Sequence, residues 1–187
     1  MTGIARAVAV CSFVVVAGCA TMTPEECAVA DWEHLGERDG RSGQSPEYFA
    51  RRASDCAEAG YDADQAAWRR GWDRGIVDFC TPGSGFREGL EGHGYDHICP
   101  GHLEDRFLDG YEAGVAIHDA ETRLDRTRSE IERAEKRLEE LHEEEKPDRK
   151  AIERERDRLE TLRKRRHEQE LELERLRGVA EGRGFRP

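Results

Sequence analysis

Two stretches of the 187-residue chain, WRRGWDRG at 68–75 and FLDGYEAG at 107–114, share one spacing. An aromatic residue is followed by Gly three positions later, a second aromatic four later and a second Gly seven later. On an α-helix all four lie along one stripe. Trp32, Gly36 and Gly40 form a partial copy, as do Phe86, Gly89 and Leu90. A helical Gly costs about 1 kcal/mol relative to Ala, so repeated glycines on one face need a compensating gain. Close approach of two backbones supplies it, with the aromatics filling the space beside each small residue. The spacing predicts a compact helical module over residues 25–118, built from three or four short helices. TPGSG at 81–85 reads as a loop and CPG at 99–101 as a break.

A different regime follows. Residues 119–177 contain no Gly, no aromatic and one Pro, with 18 Lys+Arg against 20 Asp+Glu. Leu124, Ile131 and Leu138 recur every seven, with Thr127, Ala134 and Leu141 three positions on. After Pro147 the register restarts as Ile152, Leu159, Arg166 and Leu173, accompanied by Glu155, Leu162, Gln169 and Leu176. These are heptads with a thin, imperfect seam. Pro147 suits the first turn of a new helix and not the middle of an old one. An antiparallel coiled-coil hairpin is the expected arrangement, ahead of an intermolecular coiled coil or a solvated single helix. Residues 178–187, GVAEGRGFRP, lose the heptad and read as a disordered tail.

The chain opens with Arg6 and a short apolar run, AVAVCSFVVVAG at 7–18, which is too short to span a bilayer as a mature helix. That is signal-peptide anatomy. The run ends Val16-Ala17-Gly18-Cys19, small residues before a Cys, which resembles the lipobox of bacterial lipoproteins. The resemblance implies removal of 1–18 and acylation of Cys19 with diacylglyceryl and palmitate-type chains, leaving 19–24 as a lipidated linker. Ala20 in place of Asp points to the outer membrane by the sorting rule of enteric-type bacteria. The expected location is therefore the cell envelope, anchored by lipid and facing the periplasm.

Six Cys are present. Cys11 leaves with the leader and Cys19 takes lipid. Cys27, Cys56, Cys80 and Cys99 remain, an even number in an oxidising compartment. Of three connectivities, Cys27–Cys56 and Cys80–Cys99 are favoured because each closes a local loop, a constraint of about 3–4 kcal/mol in the chain-entropy model. The competing reading is a metal site at His93, His97 and His102 beside Cys99, but this spacing fits no standard zinc motif. No metal or other cofactor is expected.

The segments EECAVADWEHLGERDGRSG, RRASDCAEAG through DHICP, and FLDGYEAG resemble the bacterial lipoprotein family of domain of unknown function 2799, over roughly residues 25–116. Asp31-Trp32, Gly36, Asp39-Gly40, Gly43, Cys56, Gly71, Gly75, Cys80, Gly89, Tyr95, Cys99 and Pro100 fall on the family's motif positions. The resemblance implies an exported, lipid-anchored domain and no chemistry. The charged tail departs from the family's short form.

Function is thereby narrowed, not named. Residues 20–118 carry 9 Arg and no Lys against 20 acids, and neither half has a one-signed basic face, so nucleic acid is not an expected partner. Ser84 lacks a G-x-S-x-G frame, and Asp73 with Asp78 is one of many acidic pairs, so no enzyme is read here. A structural adaptor that binds another envelope protein through its hairpin is the expected role. The alternative is a periplasmic small-molecule- or metal-binding lipoprotein centred on Trp68, Trp72 and Tyr95 with the three histidines.

Overall fold

A computed structural model describes residues 21–186; the expected leader with Cys11, and Cys19, the expected site of acylation, lie outside these residues. The described chain is all-α: α1 (Pro24–Ala28), α2 (Trp32–Arg41), α3 (Glu47–Glu58), α4 (Gln65–Phe79), α5 (Pro82–Leu90), α6 (Gly101–Glu143) and α7 (Arg149–Gly182). Local chemistry starts most of them. Thr23 and Glu26 make a capping box on α1. Asp31, Asp64, Thr81 and Asp148 each accept a backbone N–H of the first turn of α2, α4, α5 and α7.

The glycine stripes pair two by two. Gly36 and Gly40 of α2 face Gly71 and Gly75 of α4. A Cβ at Gly40 would stand 2.6 Å from the Trp72 carbonyl oxygen, and one at Gly71 would overlap the Glu33 carbonyl. Gly85 and Gly89 of α5 meet Gly110 and Gly114 of α6 in the same way, against the carbonyls of Phe107, Tyr111, Pro82 and Phe86. Backbone lies on backbone at all eight positions.

The two crossings are copies of one unit. A shift of 49 residues carries Gly36, Gly40 and Gly43 onto Gly85, Gly89 and Gly92, and a shift of 39 carries Trp68, Gly71, Trp72, Gly75 and Phe79 onto Phe107, Gly110, Tyr111, Gly114 and His118. Gly43 (φ 67°) and Gly92 (φ 74°) end their helices in the left-handed region, beneath the Phe79 and His118 rings respectively. Trp72 Nε1 donates to the Gln44 carbonyl at 2.8 Å, and Tyr111 Oη donates to the equivalent His93 carbonyl at 2.8 Å. The module is a tandem pair of glycine-crossed helical hairpins.

The copies differ in what joins their helices. The first inserts α3, which the Cys27–Cys56 disulfide ties to α1. The second uses residues 91–100, held by the Cys80–Cys99 disulfide. Phe79 stacks on Phe107 with centroids 5.2 Å apart, and the two units thereby share one core with Trp32, Phe49, Trp68, Trp72 and Ile76.

Several boundaries differ from expectation. Residues 82–85 are the first turn of α5, not a loop, because Thr81 caps it and Pro82 sits where a missing N–H costs nothing. Gly101 opens α6 directly after Pro100. The helix then runs unbroken through residue 118, so module and hairpin share one 43-residue element, about 65 Å long. Pro147 precedes the Asp148 cap of α7 and lies just outside the helix. Residues 178–182 continue α7, and Phe185 is buried and stacks on Phe86 at 5.1 Å, so the tail expected to be disordered is packed. The supposed linker is also ordered from Thr21, and Met22 is buried.

Candidate functional site

The distal part of α6 packs against α7 and forms an antiparallel arm. Ion pairs across it follow the antiparallel register: Glu121 with Arg177 at 2.6 Å, Glu130 with Arg165 at 3.6 Å and Glu135 with Arg163 at 2.8 Å. All are surface pairs whose individual worth is small. The seam supplies the cohesion. Leu124, Thr127, Ile131, Ala134, Leu141, Leu159, Leu162 and Leu173 are buried along it, as the heptads predict.

A polar layer separates two apolar clusters of the seam. One apolar cluster joins Ile131 and Ala134 to Leu159 and Leu162, and a second joins Ile117, Ala120 and Leu124 to Leu173, Ala180 and Phe185. Between them lie Thr127, Arg166 and Gln169. Thr127 Oγ1 donates to the Arg123 carbonyl of its own helix at 3.2 Å. Arg166 Nε and Gln169 Oε1 are buried without a hydrogen-bond partner. Outside the seam the arm is charged, with Leu171 and Val179 of α7 its most exposed large apolar side chains at 54% and 49%.

The tryptophans of the alternative ligand-groove reading are core, where the aromatic–glycine spacing puts them. Trp68 and Trp72 are each 2% exposed. Trp68 Nε1 donates to Asp39 Oδ2 at 2.9 Å, and the Trp72 indole is spent on Gln44. Asp39 also accepts two bonds from the Arg52 guanidinium, at 2.9 and 3.0 Å, in a buried pair. Tyr95 packs on Phe107 with centroids 4.5 Å apart, and its hydroxyl accepts from the Cys99 N–H and donates to Glu104. Burial pushes its phenol above the usual range.

The histidines do not converge. His93 Nδ1 lies 2.9 Å from Glu88 and His97 Nδ1 lies 2.8 Å from Glu104, while His102 is exposed at the start of α6. Among the described residues no three His, Cys, Asp or Glu side chains gather as a metal site. Asp73 is paired to Arg69 at 2.8 Å and Asp78 to Arg41 at 2.9 Å, on the surface and apart. Ser84 Oγ accepts from the Thr81 hydroxyl within the helix cap.

One long-range contact has no counterpart in the sequence pattern. Asp55 Oδ2 accepts the Thr21 N–H and hydroxyl, both at 2.6 Å, and the Met22 N–H at 3.2 Å. The Thr21 hydroxyl and backbone hold this carboxyl below the usual aspartate range. Arg52 adds a bond to the Thr21 carbonyl at 3.4 Å. An acid in mid-helix, 34 residues from its partner, gives no local signal.

Among the described residues no helix is long and apolar enough to cross a membrane. No curated protein and no solved structure matches the chain. Residues 31–116 match the family described as Protein of unknown function (DUF2799), a span that runs from the start of α2 to just beyond the last crossing glycine of α6 and leaves the arm outside the match.

Proposed function

We propose that this protein is a lipid-anchored, non-catalytic adaptor of the bacterial envelope. In this reading Cys19 carries the acyl chains after the leader is removed. The tandem-hairpin module stands at the membrane, outer by the Ala20 rule, and the α6–α7 arm reaches into the periplasm to bind another envelope protein. The continuity of α6 carries the proposal: a single helix spans module and arm, so whatever the arm binds is held rigidly to the module. Two disulfides suit an oxidising compartment. The charged arm, lying outside the family match, is the part that would give this chain a role of its own.

The test shortens the arm without disturbing its seam. Deleting 128–141 together with 157–170 removes two facing heptads from each helix and takes about 21 Å from its length. A photo-crosslinking residue at Leu171 in the native host should capture one discrete envelope protein in the full-length chain and lose it in the shortened one. Capture of nothing, or equal capture by both, rejects the adaptor.

A further inference from the structure

The chain is clamped almost at the point where the proposed anchor begins. Asp55 holds Thr21 through its N–H and hydroxyl and also holds the Met22 N–H. Met22 is 5% exposed and its thioether lies 3.8 Å from Cys56 Sγ, against the Cys27–Cys56 staple. From Thr21 onward the chain therefore belongs to the fold. Cys19 precedes Thr21 by two residues, a reach of at most about 7 Å between their Cα atoms. The headgroup layer of one leaflet is about 5–8 Å thick. Acyl chains on Cys19 that occupy the hydrocarbon core thus bring Thr21 to headgroup level.

We infer that the face of the module around Thr21, Met22 and Val29 rests in the headgroup layer of the bilayer, with no spacer between lipid and fold. The inference depends on acylation of Cys19 and adds to it a defined contact surface. A shallow groove of about 210 Å³ opens there, with Met22, Val29, Ala30 and Leu35 in its apolar lining and His34 and Arg38 at its edge. Val29, 82% exposed at the end of α1, is the most exposed large apolar side chain described. A lone exposed valine carries no meaning by itself. Its position on the groove that begins at the clamped residue gives it one. The groove also holds two acids, Glu26 and Asp31, which accept the Thr23 and His34 N–H groups and keep their charge, with Arg38 on the same lining as a counter-charge.

The experiment uses the full chain, acylated in a bacterial host, with intact mass confirming the lipid on Cys19. Reconstitution is into vesicles of phosphatidylethanolamine and phosphatidylglycerol doped with a headgroup spin label. An environment-sensitive fluorophore is placed after folding on Val29→Cys, on Ala28→Cys, its exposed neighbour at the end of α1, and on Glu144→Cys at the arm turn. The Val29 and Ala28 labels should be quenched several-fold more than the Glu144 label. A Gly/Ser insertion of about 15 residues between Ala20 and Thr21, about 20 Å as a coil, should bring them down to the Glu144 level. Acylated protein whose Val29 and Ala28 labels are quenched no more than Glu144 overturns this inference and leaves the anchor intact. Concentration-dependent energy transfer between Val29 labels without quenching assigns the face to a second copy and overturns it too. A chain lacking the acyl mass overturns the anchor itself.

Discussion

Arg52 grips Asp39 through two nitrogens, 2.9 and 3.0 Å from the two carboxylate oxygens, with both side chains at least nine-tenths buried. The same carboxylate holds the Trp68 indole, so one acid joins α2, α3 and α4. Asp39→Asn leaves the guanidinium buried without its counter-charge, and should cost about 3–5 kcal/mol in denaturant unfolding. An Arg52→Met, Asp39→Leu double variant, which removes both charges, should recover much of that loss.

The glycines divide into two classes with opposite expected signs. Gly71 and Gly110 stand against carbonyls of the crossing helix, where backbone cannot yield as a side-chain tip can. Gly71→Ala or Gly110→Ala should lower stability by about 2 kcal/mol or more despite the gain in helix propensity. Gly178 of α7 has nothing within 4 Å of its would-be Cβ, and Gly178→Ala should raise stability by about 1 kcal/mol. Thermal or chemical unfolding of the three variants decides the matter.

In the arm, Gln169 Oε1 is buried without a partner between two apolar clusters. Gln169→Leu should stabilise the arm by about 1–2 kcal/mol, read from the unfolding midpoint, because it removes an unmet acceptor and joins the clusters. The polar layer marks one register in an otherwise repetitive seam, and losing it should also weaken that choice. Disulfide trapping of slipped pairings would reveal such weakening.

The Asp55 clamp carries a pH dependence of definite sign. Its folded pKa lies below the unfolded value, so its contribution is full above the unfolded value near 4 and disappears as pH falls through the lower, folded one. Hydrogen exchange at the Thr21 and Met22 amides should stay slow at neutral pH and accelerate in that acid range beyond the intrinsic trend. Asp55→Ala should make both amides fast at every pH.

Periodic features were readable from the chain alone. The heptads located the buried seam nearly residue by residue, and the aromatic–glycine spacing identified the crossing faces, because both report a repeating local geometry. The duplication was hidden by the ten-residue difference between its 49- and 39-residue shifts, which α3 introduces, and by exchange of Trp68, Trp72 and Phe79 for Phe107, Tyr111 and His118. TPGSG looks like a loop by composition, and only the Thr81 cap with Pro82 behind it marks a helix start. Phe185 was the overlooked sign that the carboxyl-terminal residues pack. Asp39 and Asp55 bind partners far along the chain, and no spacing rule reaches them.

Because α6 is shared, the crossing at Gly110 and Gly114 acts as the fulcrum of a lever. Its free end at Glu143 lies about 40 Å beyond His118, so a tilt of about 5° at the base would displace the tip by about 3–4 Å. An extra methyl at the base would therefore be felt most at the far end, where no substituted atom is near.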